Sequence, residues 1–169
     1  MGSIPAPAPH ADPKLPEGHL ARGVLSEAQV ETLIYAASAH GRDLPGRFSS
    51  EDKGCSLKPS REGDRFRQGF FLGDGTGAGK GRQVASVILD RWVRGERRHI
   101  WISKNEALLE DARRDWSALS GLPVDIQPLS TWKLGTAVTM RDGILFVTYG
   151  KGPVVCRRRI RHSRAPPDT

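Results

Sequence analysis

The sequence has little cysteine and no long hydrophobic run. Its 169 residues include two cysteines, Cys55 and Cys156, which lie far apart and outside any CxxC pattern, so they indicate neither a disulfide framework nor a zinc site. No segment approaches the roughly 18 apolar residues that cross a bilayer. The first residues lack the basic and then apolar order of a signal peptide. We therefore expect a cytoplasmic protein with no membrane partner.

Basic charge is concentrated near the C-terminal end of the sequence. The net charge is +7, from 26 basic and 19 acidic residues. Residues 151–169 hold six basic residues and Asp168, a net of +5, which leaves +2 for residues 1–150. A basic surface is the usual footprint of phosphate-backbone binding. One hypothesis is therefore a nucleic-acid-binding module without enzymatic activity, driven by residues 151–169, which we expect to be a disordered tail.

The N-terminal part of the sequence predicts one helix between two irregular segments. Five of the twelve prolines lie in residues 1–24, which we expect to be a disordered leader because they have few large apolar groups to bury. Ser26 and Gln29 form an S-x-x-Q capping-box pattern, which predicts the start of a helix. Residues 41–68 are polar, glycine-rich and aperiodic, so they predict a mobile loop.

From residue 69 onward, strand and helix patterns alternate. Short apolar runs predict four strands, at residues 69–73, 99–103, 124–129 and 143–149. Helical spacing predicts one apolar face of Val84, Val87, Ile88 and Trp92, and another of Leu108, Ala112, Trp116 and Leu119. The second helix follows a capping-box pattern at Ser103 and Glu106 and should end at Gly121. This alternation is typical of an α/β fold with a parallel sheet and flanking helices.

The strongest motif is the glycine-rich stretch Gly73–Arg82, between a predicted strand and a predicted helix. Glycines let successive N–H groups approach a polyphosphate, and the helix directs the positive end of its dipole at the anion. Lys80 supplies a charge for the β and γ phosphates. The candidate binding residues are Asp74, Gly75, Thr76, Gly77, Ala78, Gly79, Lys80, Gly81 and Arg82. The competing interpretation is a glycine-rich turn with an incidental lysine.

This stretch departs from the pattern G-x-x-x-x-G-K-[ST] at two positions. Asp74 stands at the first glycine, where the neighbouring glycines keep the loop permissive. Gly81 stands where Ser or Thr provides a hydroxyl for magnesium. Metal binding must therefore come through water, through Asp74 or from elsewhere. We assign no catalytic and no metal-ligating residue within the sequence.

Several stretches, in a fixed order, carry a resemblance to a known family. They are residues 25–36, 69–82, 100–105 (Ile-Trp-Ile-Ser-Lys-Asn) and 110–116 (Glu-Asp-Ala-Arg-Arg-Asp-Trp). Together they resemble the Strawberry notch family of superfamily-two helicase-like NTPases, whose loop also reads Gly-Lys-Gly-Arg. The resemblance implies a partial RecA-like P-loop NTPase domain over residues 25–150, with ATP and Mg²⁺ as cofactors. For full-length members it implies DNA or RNA and chromatin or DNA-modification proteins as partners, and a nuclear location in animals.

The resemblance also implies roles for residues outside the loop. Gln29 matches a Q-motif glutamine that reads the adenine edge, although helix capping explains this residue equally well. Ser103 and Lys104 match a helicase motif that touches the nucleic-acid backbone, with a plain N-cap as the alternative for Ser103. Thr148 and Tyr149 resemble a Thr-Tyr pair that ends a strand in related translocases, with packing as the alternative.

The acidic pair of Walker B is missing. In this class one carboxylate holds magnesium and the other orients the attacking water. No Asp-Glu pair ends an apolar strand here, and we interpret Glu51-Asp52 and Glu110-Asp111 as solvated charge. We therefore predict a truncated, marginally stable nucleotide-binding fragment without turnover by itself. A further hypothesis is a small P-loop enzyme such as a nucleotide kinase, against which the missing acidic pair and Gly81 both count.

Overall fold

The described part of the chain contains a sheet of three parallel strands, three α-helices and a separate β-hairpin. The computed structural model describes residues 8–16, 18–19, 22–51, 56–120, 126–133 and 135–151. In chain order the elements are α1 Glu27–His40, β1 Phe48–Glu51, β2 Ser56–Pro59, α2 Lys80–Val93, β3 Arg98–Ser103, α3 Leu109–Ser120, β4 Ile126–Pro128 and β5 Gly143–Thr148. None of the helices in these described ranges has the length and apolar character required to span a membrane.

The sheet has the strand order β3-β5-β4, and both pairings are parallel. β5 is the central strand, and its residues 143–147 are all buried, as expected for a strand of a parallel sheet covered on both faces. In register, Ile102 lies opposite Val147 and Ile126 lies opposite Ile144. The predicted α/β fold with a parallel sheet and flanking helices is confirmed, and so are three of the four predicted strands.

The fourth predicted strand, at residues 69–73, is not formed. This segment is neither strand nor helix, and the side chain of Phe71 is 89% exposed. An apolar run becomes a strand only where a neighbouring strand completes its backbone hydrogen bonds. Within the described residues this segment pairs with neither edge strand of the sheet, β3 or β4, so its backbone has no strand partner.

α2 and α3 cover the sheet through one apolar core. Trp92 of α2 and Trp116 of α3 are buried and meet edge to face, with ring centroids 6.2 Å apart. Leu89, Ile144 and Phe146 complete the centre of this core. The predicted face of α3 is confirmed except for Leu108, which is 39% exposed. The predicted face of α2 is rotated: Val84 is exposed, and the buried side is formed by Ala85, Ser86, Ile88, Leu89 and Trp92.

The helix start at Ser26 is confirmed, with both hydrogen bonds of a capping box. The backbone N–H of Gln29 donates to Ser26 Oγ at 3.4 Å, and the backbone N–H of Ser26 donates to Gln29 Oε1 at 3.0 Å. The second predicted capping box is wrong. Ser103 is the last residue of β3, and Glu106 begins a 3₁₀ turn ahead of α3, where it accepts a hydrogen bond from Ser130 Oγ at 2.6 Å.

The segment 41–68, predicted to be a mobile loop, contains a β-hairpin. β1 and β2 pair antiparallel, with Phe48 opposite Pro59, and Phe48 also bridges to Asp64. The rings of Phe48 and Phe66 meet edge to face at 6.3 Å. Backbone hydrogen bonds between β1 and β2 and the contact of the two phenylalanine rings stabilise this segment. It therefore forms strands without the alternation of apolar and polar residues by which a half-buried strand is recognised in a sequence.

The described part of the predicted disordered leader packs on the helices. The backbone N–H groups of His10 and Ala11 donate to Ser38 Oγ at 3.3 and 3.1 Å. The backbone N–H of Lys14 donates to the buried carboxylate of Asp90 at 2.6 Å. Residues 8–16 are thus docked by hydrogen bonds to buried acceptors and by packing of Leu15 against the core, and disorder of the leader at residues 1–24 as a whole stays a prediction. Residues 1–7 and the basic tail at 152–169 lie outside the described residues.

Candidate phosphate-binding site

The glycine-rich loop leads directly into α2. Gly79 is the N-cap of α2 and has φ 72°, and Gly77 has φ 86°, so both adopt the left-handed conformation that favours glycine. A Cβ at Gly75 or Gly77 would point into open space, with nothing within 4 Å. Gly79 provides no side-chain cap, and the first turn of α2 contains no acidic residue. This helix terminus therefore presents N–H groups without a side-chain cap, and the positive end of its dipole, to the loop.

Lys80 is folded over the loop. Its Nζ donates to the backbone oxygen of Asp74 at 2.9 Å and to that of Gly75 at 2.7 Å. The ammonium group thus lies above the backbone of the same loop whose glycines give access to it. An anion bound at the end of α2 would meet both the helix N–H groups and this charge.

Gln83 stabilises the loop through two side-chain hydrogen bonds, although the sequence did not indicate it as a site residue. The side chain lies on the first turn of α2 and is 2% exposed. Its Nε2 donates to Asp74 Oδ2 at 2.9 Å and to the backbone oxygen of Ala78 at 3.1 Å, so it ties together two distant points of the loop. Among the described residues, Gln83 Oε1 has no hydrogen-bond partner. A polar residue three positions after the lysine was the available sequence indication.

Gln29 joins α1 to the loop. Its Nε2 lies 3.4 Å from the backbone oxygen of Ala78, while its Oε1 serves the capping box. A Cβ at Gly79 would come within 2.5 Å of the same Nε2. Capping and proximity to the loop are therefore simultaneous properties of this side chain. Its contact with an adenine edge stays a prediction.

Asp115 of α3 lies beside Gly81 and Arg82. A Cβ at Gly81 would overlap the Asp115 carboxylate, so Ser or Thr at this position would require that carboxylate to move. Arg82 Nη2 is 3.8 Å from Asp115 Oδ1, an ion pair whose carboxylate side chain is 18% exposed. Sequence reasoning missed Asp115, because its place beside the loop depends on how α2 and α3 pack and no local spacing reveals that.

The remaining predicted positions lie at the carboxyl ends of the strands. Ser103 and Thr148 are opposite each other in the register of β3 and β5. Tyr149 is 70% exposed, which contradicts a packing role for its ring. The acidic residues of α3 are solvated as predicted: Glu110 pairs with Arg113 at 2.7 Å, and Asp111 pairs with Arg114 at 2.9 Å.

The loop fits a nucleotide phosphate better than a bare metal ion. The glycine cradle is open, Lys80 contributes a cation, and the buried Gln83 Oε1 lacks a partner within the part of the chain that the structure describes. Within the same described ranges, no group of three or more His, Cys, Asp or Glu side chains could hold a metal ion. Magnesium at nucleotide sites keeps several waters and binds phosphates together with one or two carboxylates, so such a cluster is not required.

A parallel α/β sheet with a glycine-rich loop and lysine at a helix start defines a P-loop NTPase fold. The family model described as P-loop containing NTP hydrolase pore-1 matches residues 1–164, and the chain belongs to this family. It is 34% identical over 153 residues to Protein FORGETTER 1 of Arabidopsis thaliana, 31% over 140 residues to Protein strawberry notch of Drosophila melanogaster, and 36% over 127 residues to human Protein strawberry notch homolog 2. The resemblance to Strawberry notch is therefore confirmed.

These matches are unequal in coverage. They include 88%, 80% and 75% of this chain but only 10%, 7% and 8% of the respective relatives. The chain thus spans a tenth or less of the length of these three relatives. No solved structure matches the chain. P-loop NTPase families in general use nucleotides and Mg²⁺, which agrees in general terms with the cofactors that the family resemblance implies.

Proposed function

We propose that this chain is the ATP-binding portion of a Strawberry notch-like, helicase-related ATPase, and that it does not hydrolyse ATP by itself. The observation that carries the proposal is the uncapped N-terminus of α2 with Lys80 folded over an open glycine loop. Family membership supports the nucleotide, and the loop geometry supports the residues. The loop with Lys80, Gly81 and Arg82 binds the phosphates, and Gln29 reaches the adenine edge.

The absence of turnover follows from the acidic groups. Phosphate transfer to water in this class needs a carboxylate for magnesium and another for the water. The sequence contains no Asp-Glu pair after an apolar strand. Asp74, the acid within the loop, is bound to Gln83 through Oδ2. We interpret the chain as the nucleotide-holding part of a longer motor whose nucleic-acid substrate and protein partners depend on segments beyond this match, and its cytoplasmic or nuclear location stays a prediction.

Equilibrium titration of the full chain with a fluorescent ATP analogue tests this proposal. Lys80→Ala removes a charged hydrogen-bond donor to the phosphates, which is worth about 1.5–3 kcal/mol, or roughly tenfold to a hundredfold in affinity. Lys58→Ala is the matched control, since Lys58 is exposed in the β1–β2 hairpin and pairs with Glu51 at 3.3 Å. Equal affinities of all three proteins would contradict the assigned site. Multiple turnovers of phosphate release would contradict the absence of hydrolysis.

A nucleic-acid-binding module is the second candidate, because five of the seven net positive charges lie in residues 151–169. This candidate predicts DNA affinity that falls steeply with salt, survives Lys80→Ala and disappears when residues 151–169 are deleted. DNA binding that follows Lys80 instead would exclude it. Fluorescence anisotropy with a labelled duplex at several salt concentrations separates the two candidates.

A further inference from the structure

The position after Lys80 is occupied in space by a side chain from another helix. In the common P-loop pattern this position carries Ser or Thr, whose hydroxyl ligates magnesium. Here Gly81 has no side chain, and the carboxylate of Asp115 lies where a Cβ at residue 81 would be. A carboxylate oxygen therefore lies beside the backbone position at which the hydroxyl-bearing side chain is missing.

The position of Asp115 is fixed by the packing of α3. Its neighbour Trp116 is 1% exposed and packs edge to face on Trp92 of α2, and Ala112, one turn earlier, is 3% exposed. The carboxylate itself remains 18% exposed and is paired with Arg82 at 3.8 Å, which is longer than a hydrogen bond. It is thus anchored from one side and accessible to a ligand from the other.

We propose that the Asp115 carboxylate replaces the P-loop hydroxyl as the protein ligand, direct or through water, of the magnesium ion that accompanies a bound nucleotide. This inference rests on the proposed nucleotide site and names the residue that completes it. Carboxylate oxygen is a preferred ligand of Mg²⁺, and one such group suffices when phosphates and waters fill the remaining positions.

The charge of Asp115 predicts opposite effects on nucleotide affinity with and without magnesium, whereas a purely structural role predicts the same effect in both conditions. Without magnesium, a carboxylate next to the loop repels the nucleotide phosphates. With magnesium, the same carboxylate attracts the bound cation and strengthens nucleotide binding. Removal of the charge should therefore weaken binding of the magnesium complex, and should leave unchanged or strengthen binding of the metal-free nucleotide.

Titration of the full chain with a fluorescent ADP analogue, in Mg²⁺ and in EDTA, measures both affinities. For Asp115→Asn we expect about a tenfold or larger loss in Mg²⁺, by analogy with the loss of a group that supports a bound metal, and no loss in EDTA. Asp111→Asn is the control, because Asp111 lies on the same helix but is half exposed and paired with Arg114. It should behave as the unchanged chain in both solutions.

A second variant returns the hydroxyl. Asp115→Ala combined with Gly81→Ser removes the obstructing carboxylate and places a hydroxyl at the usual position, so it should regain Mg²⁺ dependence that Asp115→Ala alone has lost. Equal weakening by Asp115→Asn in Mg²⁺ and EDTA, or unchanged affinity in both, would overturn the inference while leaving the nucleotide site intact. Failure of the unchanged chain to bind nucleotide in either solution would overturn the proposed function as well.

Discussion

Gly79→Ala should reveal that the loop and α1 are energetically coupled. Gly79 has φ 72°, and the left-handed conformation costs a residue with a Cβ about 1–2 kcal/mol. The new Cβ would also lie 2.5 Å from Gln29 Nε2, so the amide must move away from Ala78 and strain the capping box with Ser26. Loss of the bond from the Ser26 N–H to Gln29 Oε1, the half of the capping box that uses this amide, costs roughly another 1 kcal/mol. The expected total is about 2–3 kcal/mol of unfolding free energy.

The Gln29→Ala background separates the two contributions. With the amide gone, Gly79→Ala retains only the backbone cost of about 1–2 kcal/mol, so the two substitutions should show a coupling energy of about 1 kcal/mol. Urea denaturation of the four proteins, followed by tryptophan fluorescence, measures this cycle. Equal costs of Gly79→Ala in both backgrounds would refute the contact between α1 and the loop as a source of stability.

The other predictions concern the stability of the apolar core and the pH dependence of stability that arises from two partly buried histidines. Trp116→Ala should cost about 3–5 kcal/mol of unfolding free energy and remove most of the cooperative thermal transition in circular dichroism. Trp116→Phe should cost less, since Trp116 Nε1 has no partner among the described residues. Similar melting of both variants would contradict this expectation. Burial lowers the pKa of His99, and burial followed by the nearby Arg91 charge lowers that of His40. Because the unfolded chain then binds more protons below about pH 6.5, the urea midpoint should rise as pH increases toward that value and flatten above it, with a smaller rise in the His40→Asn/His99→Asn variant. A midpoint that falls over this range would be inconsistent with lowered pKa values for these two partly buried histidines.

Local patterns predicted the elements whose formation depends on neighbouring residues. The capping box at Ser26 required only residues three apart, and the apolar runs at β3 and β5 were long enough to identify strands. The transition from the glycine-rich stretch to α2 is also visible, because helical spacing from Val84 to Trp92 follows shortly after Lys80. Local patterns therefore predict the candidate loop residues, whose role in binding stays a prediction.

Features that depend on distant residues were not predictable in the same way. The segment 69–73 has the composition of a strand, but strand formation depends on pairing with a neighbouring strand, which these residues do not determine by themselves. The docking of residues 8–16 depends on buried acceptors at Ser38 and Asp90. The carboxylate of Asp115, more than thirty residues after Gly81, lies beside the loop because α3 packs on α2.

The two hydrogen bonds of Lys80 to its own loop have a consequence for affinity. A ligand phosphate and the backbone oxygens of Asp74 and Gly75 compete for the same ammonium group. If the lysine is released in only about a tenth of the molecules, the apparent affinity for a ligand that needs it is reduced about tenfold relative to the released state. Nucleotide affinity can therefore be raised without any new ligand contact, by any change in the surroundings of the loop that makes those two backbone oxygens poorer acceptors.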